Sequence, residues 1–266
     1  MTEVATSLAA VPIGHVTTLE IRRPPHNFLD RELIMELSDR LDALDGDADC
    51  RAIVLMAEGK SFCAGANFGN SAMRETSTPR ALYSQVVRLF RSKKPIVAAV
   101  HGPAIGAGMG LALVADFRVT CEAARFSANF ARMGFHPGFG MSATLPRIVG
   151  PQKAALLFYT GRRISGREAF DMGLADVFVE QDQVRQAAID LATEIAASGP
   201  IAVMSARATL RAGLAEAVVA ATDREAALTE REQKLTQDRD RFAEELAKRE
   251  GREREVDHRA SEVDQH

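Results

Sequence analysis

The chain has 266 residues, 46% of them hydrophobic and 26% charged, with a formal net charge of -3. Such a length can bury one large core or two modest ones, and the near-balanced charge argues against a nucleic-acid-coating surface or a polybasic membrane patch. Three cysteines, Cys50, Cys63 and Cys121, show no Cys-x-x-Cys spacing, which argues against a disulfide framework or a zinc cluster and favours a reducing, cytoplasmic setting. Met1 to Gly14 carries Glu3 and no Lys or Arg, so the charged start of a secretory signal is not expected.

In chain order, Val16 to Ile21 reads as a strand. Leu33, Leu37, Leu41 and Leu44 then recur at helical spacing behind Asp30, a plausible N-cap, and Arg51 to Met56 reads as a buried strand. The pattern repeats with a helix over Leu82, Val86, Leu89 and Phe90 and a strand at Ile96 to Val100. A short apolar helix near Gly108 to Val114 leads to a fourth strand at Phe117 to Thr120. Alternation of this kind predicts an α/β fold with parallel strands buried on both faces. Residues 95 to 115 contain no Asp, Glu, Lys or Arg, but Pro95, Pro103 and four glycines would break a membrane-spanning helix repeatedly. After Gly134 helices dominate: one begins at Pro151, a capping box pairs Ser165 with Glu168, and helices fit 182 to 197 and 201 to 212. The last 44 residues hold 14 acids and 10 bases, so the tail carries the negative charge as a solvated helix or an interaction arm.

Two glycine-containing loops follow strands, Gly59 to Phe68 and Gly102 to Gly110. At strand ends in an α/β sheet such loops form ligand clefts, and small side chains leave backbone N–H groups uncovered. If the second loop opens a helix near Ala107, free N–H groups and the positive helix end point into the cleft. Two converging amides would make an oxyanion hole, in which one donor is worth about 3 to 4 kcal/mol of transition-state stabilisation. Either loop could equally be a tight turn. The spacing is not that of a dinucleotide fingerprint, because position 111 is Leu111. Asp116, at the helix-to-strand connection, reads as structural.

Phe62-Cys63-Ala64-Gly65-Ala66-Asn67, Gly102-Pro103-Ala104-Ile105-Gly106-Ala107-Gly108 running to Asp116, and Pro137-Gly138-Phe139-Gly140 running to Pro146-Arg147-Ile148-Val149-Gly150 occur in that order. Together they resemble the three signatures of the crotonase (enoyl-CoA hydratase/isomerase) superfamily, and Arg23-Pro24, Asn27 and the stretch from Ala169 to Leu174 extend the likeness. The resemblance implies a ββα-superhelix core over 12–200; the helical C-terminal segment over 201–266 carries the charged tail, and its charged run from Arg231 to Arg259 departs from the family's pattern. The resemblance also implies assembly as a homotrimer or dimer of trimers, and an acyl-CoA substrate whose coenzyme A is the only cofactor-like group. By matching positions, the amides of Ala66 and Ala107 would hold the thioester oxygen. Ala64, Gly65, Asn67, Phe68, Gly106, Gly108, Gly110, Phe130 and Arg23 would line the substrate site. Neither a nucleic acid nor a membrane is an expected partner.

The departures are informative. Hydratases of the superfamily use two glutamates to position and activate water, and the matching positions are Gly110 and Phe130. Since general acid–base catalysis contributes about 10²- to 10⁴-fold, efficient water addition is not expected. One imidazole stands in the same segment, His136, either as the proton-transfer group or as a turn residue bonded to a carbonyl. Phenylalanines at 126, 130, 135 and 139 form core packing or an acyl-pocket lining. The expected activity is therefore isomerisation, C–C cleavage or hydrolysis through a stabilised oxyanion; the alternative is a silent acyl-CoA binding or scaffolding protein.

Overall fold

A computed structural model describes residues 7–66 and 79–263. It contains β1 (Leu8–Ile13), β2 (Val16–Ile21), α1 (Arg31–Gly46), β3 (Ala52–Ala57), α2 (Pro79–Phe90), β4 (Ile96–Val100), β5 (Ala104–Ile105), α3 (Ala107–Ala112), β6 (Phe117–Thr120) and β7 (Arg125–Ser127). These are followed by α4 (Met141–Val149), α5 (Pro151–Thr160), β8 (Ile164–Ser165), α6 (Gly166–Asp171), β9 (Val177–Phe178), α7 (Val184–Ala196), α8 (Pro200–Leu210) and α9 (Leu214–Val263).

The main sheet has the order β1-β2-β3-β4-β6-β9. Every pairing from β2 onward is parallel, and only β1 runs antiparallel, to β2. The hydrophobic runs explain this arrangement. Every residue of β3 and of β4 is buried, as expected of strands covered on both faces, whereas β1 exposes Val11 and Ile13 at the sheet edge. In α1 the buried residues Leu33, Ile34, Leu37, Ser38 and Leu41 lie on one face, and Asp30 caps the first turn by accepting from the Leu33 N–H at 2.8 Å. The capping box of Ser165 and Glu168 forms as the spacing predicts. The uncharged stretch 95–115 divides into β4, β5 and α3, and among the described residues no single helix is long and apolar enough to cross a membrane.

A second sheet, β5-β7-β8, is absent from the sequence reading. Strands of two or three residues carry no usable periodicity. The first compact unit is Met1–Ala226 and the second Ala227–His266. The first takes in α8 and the start of α9, which the sequence reading had grouped with the C-terminal segment.

Asp116 is structural, as its position suggests. Its carboxylate accepts from the Ile96 N–H, Arg207 Nε and an Arg211 guanidinium nitrogen, each at 2.8 Å, tying the start of β4 to α8. Asp116→Ala would leave the buried Arg207 guanidinium without its carboxylate. Urea unfolding should show a loss of about 3 to 5 kcal/mol.

Candidate functional site

The site is built at the C-terminal ends of β3 and β4, where two loops are stitched together through their backbones. The Cys63 N–H donates to Pro103 O at 3.1 Å, and the Ile105 N–H donates to Cys63 O at 3.0 Å, forming a parallel bridge between Cys63 and Ala104. On its other side β5 pairs with β7, and the Gly106 N–H donates to Ser127 O at 2.8 Å. Residues 104–106 are thus held from two directions, and Ala107 is the next amide along. As the first residue of α3 it precedes the first intrahelical bond, Gly110 N–H to Gly106 O at 3.1 Å. Gly106 reaches this corner with φ of 55°, a left-handed value that L side chains rarely adopt.

The facing loop is held in the same way. The Ala64 N–H donates to His26 O, and the Leu29 N–H donates to Gly65 O, both at 2.9 Å. Asn27, fully buried, accepts from the Arg23 N–H at 3.0 Å and donates to the carbonyls of Glu58 and Ser61 at 2.6 and 2.7 Å. Among the described residues, neither the Ala66 nor the Ala107 N–H has an acceptor. The loops touch because glycine leaves room. A Cβ on Gly65 would lie 2.6 Å from Ile105 O and 3.6 Å from Ala107 N, and one on Gly108 would overlap the Cys63 carbonyl, 2.7 Å from its carbon. The two loops are thus joined through their backbones, with the Ala66 and Ala107 amides on the joined segments.

Ala64, Gly65, Ala66, Gly106, Ala107 and Gly108 are therefore brought together, while Asn67 and Phe68 lie outside the described residues. Phe130 approaches from the loop after β7, its ring tip 3.9 Å from where a Gly106 Cβ would stand. Gly110, one turn into α3, has its side-chain space taken: an added Cβ would meet the Phe139 Cβ at 2.7 Å and its ring at 2.8 Å. Arg23 is not a free cation here, since its guanidinium is ion-paired with Asp30, the cap of α1. His136, half-buried before α4, places Nδ1 3.0 Å from the Pro137 carbonyl oxygen. A carbonyl only accepts, so Nδ1 is the donor in this hydrogen bond. Cys63, at the centre of the stitching, is no nucleophile near neutrality: burial pushes its thiol up to about 12, against the smaller opposing effect of the Gly65 and Leu29 amides.

Sequence reasoning missed Glu225 altogether. It is 1% exposed and accepts from the Gly140 N–H at 3.4 Å and the Ser142 hydroxyl at 3.2 Å. Burial pushes its carboxyl up to about 7, with those two hydrogen bonds pulling less strongly the other way. A signal was present, because Leu214, Val218, Thr222 and Glu225 form one buried helical stripe and an acid within such a stripe is unusual.

Comparison with known proteins gives the family. Residues 14–251 match the family model described as enoyl-CoA hydratase/isomerase. A Mycobacterium tuberculosis protein named "Probable enoyl-CoA hydratase" is 38% identical over 205 residues, covering 74% of this chain and 78% of that protein. The crotonyl-CoA hydratase of Syntrophomonas wolfei is 34% identical, covering 75% and 79%. The crystal structure of an enoyl-CoA hydratase/isomerase from Pseudoalteromonas atlantica superimposes with a TM-score of 0.77 at 33% identity, covering 84% of this chain and 89% of that one. The α/β architecture is thus that of the crotonase fold, and the chain belongs to the enoyl-CoA hydratase/isomerase family.

Proposed function

We propose that this protein binds an acyl-CoA thioester with its carbonyl oxygen between the Ala66 and Ala107 amides and stabilises an enolate or related oxyanion there, without being an efficient hydratase. The observation that carries this reading is the pair of amides without acceptors among the described residues, one on each side of the stitched loops. Negative charge grows on the thioester oxygen only as the reaction proceeds, so fixed donors favour the transition state over the bound substrate. The second half of the reading rests on Gly110 and Phe130, since neither side chain moves a proton. Proton transfer then falls to His136 or to the substrate itself. Assembly into trimers belongs to the same reading and is supported by the exposed apolar side chains of Tyr159, Ile201 and Leu210.

Ala107→Pro tests the hole with little disturbance of the helix. Proline fits the first position of a helix, and its ring carbon takes the place of the N–H hydrogen. With butyryl-CoA in deuterium oxide, exchange of the α-hydrogens reports enolate formation by mass spectrometry. The wild-type protein should exchange, and Ala107→Pro should exchange about 10²- to 10³-fold more slowly. An absence of exchange in the wild type, or an unchanged rate in the variant, would contradict the enolate mechanism. Acyl-CoA binding by calorimetry without exchange would favour a silent binding protein instead.

A further inference from the structure

Phe139 and Glu225 belong to one unit that the mechanism above does not use. Phe139 is 4% exposed and has φ of 62°, a costly value for a residue with a Cβ that persists only when its surroundings over-determine it. Two contacts do so. On one side the ring and Cβ occupy the space a side chain on Gly110 would need, at 2.7 to 2.8 Å from its Cβ position. On the other side the next residue, Gly140, is pinned by α9. Val218 lies 2.8 Å from where a Gly140 Cβ would be, and the Glu225 carboxylate takes the Gly140 N–H and the Ser142 hydroxyl. Glu225 has no cation opposite it among the described residues. Asp223 and Arg224 on its own helix are exposed, and His136, four residues before Gly140, turns Nδ1 to Pro137 O.

We propose that Phe139 and Glu225 form a specificity device: the Phe139 ring closes the space beside Gly110 against acyl groups branched at the reacting carbon, and Glu225 is the positioning residue that holds the turn carrying that ring. This rests on the acyl-CoA reading above, because Gly110 lies one helical turn beyond the hole amide of Ala107. Burial disfavours the ionised carboxylate more than its two hydrogen bonds favour it, so the clamp loosens as Glu225 loses its proton, and discrimination decreases as pH passes through neutrality.

The test is calorimetric binding of acetyl-CoA and isobutyryl-CoA at pH 5.5 to 8.5, with His136→Gln as the background so that the neighbouring imidazole does not contribute. Phe139→Ala should shift the affinity ratio towards isobutyryl-CoA by tenfold or more. Glu225→Gln keeps an acceptor oxygen and should flatten the pH dependence of that ratio, while Glu225→Leu should lose discrimination at every pH. Unfolding of the same variants supplies an independent readout. A folded-state pKa of about 7 against an ordinary 4.5 means that the stability Glu225 contributes is fully present below about 4.5 and is lost as pH rises through 7. Glu225→Gln should therefore gain stability relative to the parent between those values. A ratio unmoved by Phe139→Ala, or identical pH profiles for Glu225→Gln and its parent, overturns the proposal. If the parent binds neither thioester, the acyl-CoA reading fails and the specificity role falls with it, whereas the unfolding profiles still decide whether Glu225 is a titrating clamp.

Discussion

Gly108→Ala is expected to lose the folded site, with a destabilisation above about 4 kcal/mol or an insoluble product. The reason is backbone against backbone. The added methyl would overlap the Cys63 carbonyl, and that carbonyl oxygen accepts the Ile105 N–H that stitches the two loops. A flexible side chain could move aside, but here relief requires separating the loops, and with them the Ala66 and Ala107 amides. Gly46→Ala is the control, since a Cβ there meets nothing within 4 Å and should be neutral or stabilising by up to about 1 kcal/mol. Thermal unfolding of the two variants side by side decides the matter; equal stability would remove the structural basis for the hole.

The second large effect concerns water addition. With crotonyl-CoA the wild-type protein should hydrate more slowly than a two-carboxylate hydratase by about 10²-fold or more, because both acid positions are unable to transfer protons. Replacing Gly110→Glu alone should not recover the activity, since the new side chain would start 2.7 Å from the Phe139 Cβ and either destabilise the turn or point elsewhere. Combining Gly110→Glu and Phe130→Glu with Phe139→Ala clears that space, and measurable loss of the enoyl absorbance at 10-fold or more above wild type is the expected outcome. Fast hydration by the wild type would show that another group activates water. Recovery by Gly110→Glu alone would show that the Phe139 ring is no obstacle.

Much of the fold was legible because its signals are local. Buried parallel strands announce themselves as uninterrupted apolar runs, as in Ile96 to Val100, and the helices by their spacing and caps, as in Asp30 before Leu33 and Ser165 before Glu168. The small sheet was not legible. Ala104–Ile105 and Arg125–Ser127 are too short for a period to register, yet they hold Gly106 to Ser127 and so define where Ala107 stands.

The candidate site shows the same division. The types of residue in both loops, and the absence of acids at positions 110 and 130, follow from the sequence and its resemblance to a family. Residue order alone could not say that Gly110 is small because Phe139 fills its place, or that Arg23 is engaged by Asp30. Nor could it reveal that a lone carboxylate, 85 residues further along the chain, sits under the turn that carries Phe139.

The sequence by itself determined the alternation of strands and helices and the two glycine-containing loops, because each depends on residue type and near-neighbour spacing, while the lack of an acid at positions 110 and 130 takes its meaning from the resemblance to a family. Only the tertiary structure decided which amides are left without acceptors among the described residues, that Phe139 fills the space beside Gly110, and that Glu225 is buried rather than solvated. Those properties depend on groups brought together from distant parts of the chain, and the desolvation that raises the Glu225 pKa exists only once α9 has packed against the start of α4.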